Sequence, residues 1–253
     1  MIDTHSHLYL EEFREDRQGM FNRAREAGVT RVYLPAINSE SHEAMMETAA
    51  VSDGFCVPMM GLHPCYVETD FTKELELVEQ WLQREKFAAI GEVGLDFYHS
   101  VEYREQQVEV FRLQIELALQ YDLPIVIHSR SSLDECIKMI AEHGKGKVSG
   151  IFHCFGGDER QARKIIDMGF MLGIGGVVTY KNAGLATLVA QLPLESMVLE
   201  TDAPYLTPVP FRGKRNETAY IRYVAEKVAC LKGIDFEEVD EITTQNAKKI
   251  FRF

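Results

Sequence analysis

The chain begins with MIDTHSHL, residues 1–8. This stretch passes from apolar residues into Asp3, His5 and His7, and the two-residue period of an extended strand places these three side chains on one face. Two imidazoles on one face form a chelating pair for a divalent metal. An isolated H-x-H pair is equally consistent with two unrelated histidines near a chain terminus, so the metal interpretation depends on what recurs later in the sequence.

Short apolar runs alternate with longer helical segments along all 253 residues. This alternation, with short connections, is typical of parallel strands covered by helices. It predicts an α/β fold, a single-domain (β/α)8 TIM barrel over residues 1–253. A doubly wound open sheet is the alternative, but no Gly-rich phosphate turn follows the first run. The eight runs expected as strands are residues 2–7, 30–36, 55–64, 87–96, 123–129, 148–155, 169–176 and 197–204.

Composition restricts the class of protein. A hydrophobic content of 46% and a charged content of 26% fit one large globular domain with a substantial core. The five cysteines are scattered without a C-x-x-C pair, which indicates free thiols rather than a disulfide framework or a thiolate zinc site. No run is long enough for a membrane span and no signal peptide is recognisable, so we expect a cytoplasmic monomer without membrane contact.

The net charge of −12 argues against a broad basic surface that follows a nucleic-acid duplex. It leaves room for a local anion site, because bound divalent metals can supply the positive charge that an anionic substrate needs.

Barrel enzymes build their active sites at the carboxyl ends of the strands. Five of the eight histidines fall at predicted strand ends, and a glutamate lies within the apolar fourth run, where an unpaired carboxylate would be costly. The residues expected to converge are His5, His7, His63, Glu92, His128, His153 and Asp202.

Four imidazoles and two carboxylates exceed the needs of one tetrahedral zinc site, and they suit two divalent ions. We assign His5, His7 and Asp202 to one ion and His128 and His153 to the other, with Glu92 as the bridge. Mixed imidazole and carboxylate ligation fits Zn²⁺, Mn²⁺ or Mg²⁺ and does not choose among them.

Several motifs together resemble the TatD family of metal-dependent deoxyribonucleases. The resemblance covers the whole length, through NAKKIF at residues 246–251. The motifs are D-x-H-x-H at 3–7, GLHP at 61–64, GEVGLDFY at 91–98, LPIVIHSR at 123–130, IFHCF at 151–155, TYKNA at 179–183, LETDAPYL at 199–206 and RGKRNE at 212–217.

This resemblance implies a (β/α)8 barrel that hydrolyses DNA phosphodiesters, commonly from the 3′ end of single strands. His63 matches a histidine that holds the scissile phosphate. The chain departs from the family at Ser131, where an acidic residue is frequent, and at Thr218, where proline is frequent. Neither is a proposed ligand. By position, the metal ligands of the family fall on His5, His7, Glu92, His128, His153 and Asp202.

Phosphodiester hydrolysis needs a deprotonated water and positive charge around the transition state. Asp202 is the expected general base, because it ends a strand among the ligands and can take a proton from water. Glu92 serves as the bridge, and His63 is expected to donate to the phosphate or to the leaving oxygen.

The expected partner is DNA, with single-stranded ends preferred over long duplexes. The cationic loops after the fifth, seventh and eighth strands are predicted to contact phosphates, and nearby aromatic residues could stack on unpaired bases. The predicted phosphate contacts are Arg130, Lys181, Arg212, Lys214, Arg215 and Asn216, and the aromatic residues are Phe97, Tyr98, Phe155, Tyr180, Tyr205 and Phe211.

Two other functions remain open. One is a metal-dependent amidohydrolase or deacylase acting on a small C–N or ester substrate. Many such barrels bridge their metals with a modified lysine on the fourth strand, whereas here no lysine lies between Phe87 and Asp96. The other is a non-catalytic binding protein on a barrel scaffold, which the complete set of six ligands argues against.

Overall fold

A computed structural model describes residues 1–252 as alternating strands and helices. The eight strands are β1 (Ile2–Asp3), β2 (Arg31–Pro35), β3 (Cys56–Met59), β4 (Ile90–Asp96), β5 (Ile125–Arg130), β6 (Gly150–Phe152), β7 (Met171–Ile174) and β8 (Met197–Leu199). The α-helices are α1 (Arg17–Glu26), α2 (Ser39–Ala50), α3 (Phe71–Arg84), α4 (Arg104–Tyr121), α5 (Leu133–His143), α6 (Glu159–Asp167), α7 (Leu185–Gln191), α8 (Ile221–Lys232) and α9 (Phe236–Phe251).

The strands pair in chain order and in parallel. Two ladders, β1-β2-β3 and β4-β5-β6-β7-β8, are joined by backbone hydrogen bonds at both seams. At one seam the Met60 N–H donates to the Ala89 carbonyl over 3.1 Å, and at the other the Thr4 N–H donates to the Leu199 carbonyl over 3.0 Å. The strands therefore form a ring with helices outside, which confirms the predicted α/β barrel.

Several strands are shorter than the sequence predicts. β1 ends at Asp3 rather than at residue 7, and β8 ends at Leu199, because the chain beyond each strand makes irregular contacts instead of ladder pairs. The Asp202 N–H donates to the His5 carbonyl over 2.9 Å, and the His7 N–H donates to the Ala203 carbonyl over 2.8 Å. The ligand-bearing segments are thus bent loops that brace each other. The helix predicted near residues 11–27 is a 3₁₀ turn, Glu11–Phe13, followed by α1.

Helix α4 positions the site through two buried glutamines. The amide of Gln107 accepts from the Asp96 N–H at 2.9 Å and donates to the Asp96 carbonyl at 3.2 Å. Gln114 holds the backbone of Leu62 in the same way, at 2.7 and 3.0 Å. Each amide satisfies buried backbone groups that lack a ladder partner. The buried face of α4 therefore includes two polar residues, Gln107 and Gln114.

No helix within residues 1–252 combines the length and the apolar character that crossing a membrane requires. The five cysteines are free, as expected, with Cys56 and Cys136 buried and Cys65 exposed.

Candidate metal centre

Glu92 lies at the centre of the site. β4 places it inside the mouth of the barrel, where it is 2% exposed. Its Oε2 lies 3.0 Å from His5 Nε2 and 3.6 Å from His7 Nε2, while its Oε1 lies 2.9 Å from His128 Nδ1. Burial alone would raise the pKa of this carboxyl, but the surrounding imidazoles hold the pKa well below its usual value. Glu92 is therefore an ionised carboxylate with ligand-type nitrogens on both oxygens.

The Oε2 side of Glu92 also receives Asp202. The Oδ1 of Asp202 lies 3.5 Å from His7 Nε2 and 3.9 Å from His5 Nε2. The structure thus brings together His5, His7 and Asp202, which were predicted from the sequence to hold one ion, and Glu92, which was predicted as the bridge.

The surroundings of His5 show whether a divalent cation fits on the Oε2 side of Glu92. The His5 side chain is fully buried, its Nδ1 has no hydrogen-bond partner, and its Nε2 lies 3.0 Å from Glu92 Oε2. Burial lowers the pKa of His5, so the ring is neutral and a nitrogen lone pair is available. A buried carboxylate charge is costly, and a divalent cation held between His5 Nε2 and Glu92 Oε2 would balance it. The donor set fits a divalent metal.

The Oε1 side of Glu92 faces His128, His63 and His153, whose nearest ring nitrogens lie at 2.9, 3.5 and 3.8 Å. His153 stacks on His5 with ring centroids 3.4 Å apart, and its Nε2 lies 3.9 Å from Asp202 Oδ1. His153 therefore lies between the two sides rather than beside His128 alone.

The backbone determines the protonation of His63. The Cys65 N–H donates to His63 Nδ1 over 3.1 Å, so the neutral ring carries its proton on Nε2, which points toward Glu92 Oε1. This tautomer makes His63 a hydrogen-bond donor at the site rather than a metal ligand.

Three polar side chains orient the histidines from behind, and the sequence alone indicated a role for none of them. Asp96 Oδ2 lies 2.9 Å from His128 Nε2, and Glu200 Oε1 lies 3.0 Å from His153 Nδ1. The Tyr9 hydroxyl donates to the Pro35 carbonyl and lies 3.0 Å from His7 Nδ1. Such partners leave the opposite ring nitrogen facing the Glu92 centre, where it could bind a metal ion. The sequence signal that could have identified Asp96 and Glu200 is a carboxylate near the end of a strand, in GEVGLD and LETD.

The two orienting carboxylates also favour protonated rings. Burial opposes the charge, but Asp96 and Glu92 raise the pKa of His128 to about 9, and Glu200 and Glu92 raise that of His153 to about 10. A cation that binds either ring displaces a proton.

Asp3 was expected on the same face as His5 and His7 but lies elsewhere. It is fully buried, and it accepts hydrogen bonds from the Thr201 N–H at 2.9 Å and from the Thr201 hydroxyl at 2.6 Å. These bonds fix the segment that carries Asp202, whose φ of 55° lies in the left-handed region that non-glycine residues rarely adopt.

A family comparison agrees with the observed fold. The family model described as TatD related DNase matches residues 2–252. The chain belongs to this family. Its TatD membership thus rests on a match over almost the entire sequence, as the motif resemblance predicted.

Individual relatives support the assignment to the TatD family. An uncharacterized metal-dependent hydrolase of Bacillus subtilis (strain 168), YabD, is 40% identical over 253 residues, covering 100% of this chain and 99% of YabD. The human deoxyribonuclease TATDN3 is 34% identical over 99% of this chain and 94% of its own length. The crystal structure of YJJV, a TatD homologue from Escherichia coli K12, superposes with a TM-score of 0.92 at 29% identity, covering 100% and 98% of the two chains. The family and the ligand cluster together support the class of metal-dependent hydrolase.

Two predicted phosphate contacts of this TatD chain lie exposed at the rim of the barrel. The guanidinium of Arg130 lies 3.9 Å from the ring centre of Tyr98, and that of Arg212 lies 4.1 Å from the ring centre of Tyr180. Both side chains are open to an approaching anion.

Arg215 and Asn216 have internal roles instead. Arg215 donates to both carboxylate oxygens of Asp16 at 2.8 and 2.9 Å and lies over Phe13. Asn216 is fully buried, and its amide donates to the Thr201 carbonyl at 2.8 Å and to the Tyr205 carbonyl at 2.6 Å. Because these donors are already used, the structure argues against the predicted substrate contacts. In the TatD motif RGKRNE, these two residues anchor the loop.

Proposed function

We propose that this protein is a metal-dependent deoxyribonuclease that removes nucleotides from the 3′ end of single-stranded DNA with two divalent ions. The observation that carries the proposal is the buried Glu92 carboxylate, with His5 and His7 near one oxygen and His128 near the other. One carboxylate with imidazoles on both oxygens is the arrangement that bridged two-metal hydrolases require. Family membership and the name of the human relative support the nuclease activity.

Divalent ions bound at Glu92 would provide Lewis acidity toward water and toward the phosphate oxygens. Asp202 then acts as the general base. Burial would raise the pKa of its carboxyl, but His7, His153 and His5 lower it, so the group is ionised and able to accept a proton. Its side chain is 15% exposed, which leaves it accessible to water from the barrel mouth.

His63 donates from Nε2 to the scissile phosphate or to the leaving oxygen. The backbone N–H of Cys65 fixes the required tautomer, and the side chain is 13% exposed. Burial lowers the pKa of His63, so the ring donates as a neutral imidazole.

Exposed rings near the centre support single-stranded ends as the substrate. Tyr205 lies 6.1 Å from the ring of His7, and Tyr66 lies 6.1 Å from the ring of His63. Both tyrosines are exposed, so unpaired bases could stack on them. Phe155 and Phe211 do not share this role, because Phe155 is buried and Phe211 stacks on Tyr220.

The test uses metal-stripped protein, re-added Mg²⁺, Mn²⁺ or Zn²⁺, and 5′-labelled single-stranded and duplex DNA. We expect labelled products that shorten from the 3′ end, faster on single strands, only when metal is present. The Asp202→Asn variant is the matched control, since it keeps the shape of the side chain and loses the base.

Absence of DNA cleavage under every metal, with the metals nonetheless bound, would reject the nuclease. Metal-dependent hydrolysis of small esters or amides by the same preparation would then favour the amidohydrolase alternative.

A further inference from the structure

A second cluster of ligand-type side chains lies beside the Glu92 centre. Cys65 Sγ lies 3.5 Å from Asp96 Oδ2 and 3.6 Å from His99 Nδ1, and His99 Nδ1 lies 2.9 Å from Asp96 Oδ2. These three atoms are close enough together to hold one metal ion. None of the three residues was assigned as a metal ligand from the sequence, where Cys65 was grouped with the free thiols.

The arrangement does not fit a nucleophilic cysteine. In a Cys–His–Asp triad, the thiol contacts one ring nitrogen and the carboxylate contacts the other. Here both Cys65 Sγ and Asp96 Oδ2 face the same nitrogen, His99 Nδ1. Three donor atoms that converge on one point are instead the arrangement that a metal ion requires.

The distances match a tetrahedral ion. Zinc bonds of about 2.3 Å to sulfur and about 2.0 Å to nitrogen or oxygen, at tetrahedral angles, place the sulfur about 3.5 Å from each of the other ligands. The observed separations of Sγ from the two other atoms are 3.5 and 3.6 Å. The separation between His99 Nδ1 and Asp96 Oδ2, 2.9 Å, would have to widen by a few tenths of an ångström, to about 3.3 Å.

We propose that Cys65, Asp96 and His99 form an additional site for a thiophilic divalent cation of the Zn²⁺ type, separate from the Glu92 centre. A thiolate with an imidazole and one carboxylate oxygen selects zinc-like ions over Mg²⁺, which prefers oxygen ligands. Cys65 and His99 are exposed, so the ion would enter from solvent and keep a water in its fourth position.

Binding of the cation changes the protonation of Cys65 and His99. Arg130 Nη1 donates to His99 Nε2 over 3.4 Å, which places the ring proton on Nδ1, facing Asp96, and the Cys65 thiol donates to Asp96 Oδ2 over 3.5 Å. When the cation binds, the ring carries its proton on Nε2 and Cys65 releases one proton to solvent. The Arg130 contact is then lost, because both groups would be donors.

Asp96 connects this site to the main centre. Its Oδ2 also lies 2.9 Å from His128 Nε2, so one carboxylate oxygen serves both clusters. Substitution of Asp96 would therefore disturb both sites, and Cys65 and His99 are the residues that test the additional site alone.

The experiment is a Co²⁺ titration of the metal-stripped full-length protein, followed by absorbance spectroscopy. A cysteine thiolate on Co²⁺ gives a ligand-to-metal charge-transfer band in the near ultraviolet, whereas imidazole and carboxylate ligands do not. We expect this band in the wild type, and we expect Cys65→Ser to abolish it and His99→Gln to weaken it at least tenfold at equal Co²⁺.

Cys154→Ser is the matched control, because Cys154 forms the other thiol-containing cluster, with His153 and Glu200. This variant should keep the band. Glu92→Gln should also keep it, which separates the additional site from the proposed nuclease centre. Zinc analysis at saturation should give one equivalent fewer for Cys65→Ser than for the wild type.

Absence of the band in the wild type would overturn the proposal, as would its loss in Cys154→Ser with retention in Cys65→Ser. Equal zinc content in the wild type and in Cys65→Ser would overturn it as well. Because Cys65 is exposed, the folding of Cys65→Ser should match that of the wild type by circular dichroism.

Discussion

The two oxygens of the Glu92 carboxylate face different surroundings. On the Oε2 side, His5 is completely buried, burial lowers its pKa, and its Nε2 lies 3.0 Å from the carboxylate. On the Oε1 side, the His128 side chain is 17% exposed, and carboxylates lie 2.9 Å from both of its nitrogens. A cation on the Oε2 side, here called the inner side, therefore meets a neutral imidazole, whereas a cation on the Oε1 side, the outer side, must displace the proton that His128 holds between two carboxylates. We expect the inner side to bind its cation more tightly.

Glu92→Gln removes the carboxylate charge that the two sides share, and it should have the largest effect on turnover. The amide removes the charge that both sides use, so we expect turnover on single-stranded DNA to fall about 1,000-fold, because metal ions supply several kcal/mol of transition-state stabilisation. Metal content, measured on the purified variant, should fall with turnover while circular dichroism stays unchanged. Full activity would show that Glu92 is not the bridge.

Asp96→Asn tests the outer side, and Glu200→Gln tests His153, which lies between the two sides. Asp96 contacts His128, and Glu200 contacts His153. Loss of such an orienting carboxylate typically weakens metal binding about 10- to 100-fold. For Asp96→Asn, calorimetric titration with Mn²⁺ should show this loss for one equivalent and an unchanged affinity for the other. Equal weakening of both equivalents would contradict the division into an inner and an outer side.

Tyr9→Phe tests the inner side with a smaller change. It removes the hydroxyl that lies 3.0 Å from His7 Nδ1 and leaves the ring in place. One neutral hydrogen bond contributes about 1 kcal/mol, so the tighter Mn²⁺ equivalent should weaken about fivefold. If only the weaker equivalent changed, our assignment of the tight site to His5 and His7 would be incorrect.

The sequence predicted the barrel and the set of converging residues, because both depend on regular features. Alternating strands and helices restrict the topology, and carboxyl ends of parallel strands meet at one mouth. Glu92 and His128 lie on β4 and β5, and His5 follows the end of β1 by two residues, so all three approach the same mouth.

The orienting residues depend on irregular geometry and could not be predicted in the same way. The role of Tyr9 requires the loop after β1 to turn its hydroxyl between His7 and the Pro35 carbonyl. The tautomer of His63 depends on one backbone N–H, that of Cys65. Neither contact leaves a periodic signal in the sequence.

The directions of the side chains in the basic loop after β8 could not be predicted from the sequence either. Arg212 and Arg215 are three residues apart in one charged motif, RGKRNE. Only the structure shows that Arg212 is exposed over Tyr180 whereas Arg215 points back onto Asp16 and Phe13. Charge in a loop does not reveal the direction of the side chain.

Substitutions of Arg212 and Arg215 should have the smallest effects, and they compare the metal centre with the rim of the barrel. Arg212→Ala should raise KM for single-stranded DNA about threefold with little change in kcat, because it removes a solvated phosphate contact. Arg215→Ala should leave KM unchanged and lower the free energy of unfolding by about 1 kcal/mol, because it breaks the bond to Asp16 and exposes Phe13. Steady-state kinetics and urea unfolding of both variants measure the two effects. A raised KM in Arg215→Ala with unchanged stability would restore Arg215 to the substrate site and would show that the Asp16 pairing opens when DNA binds.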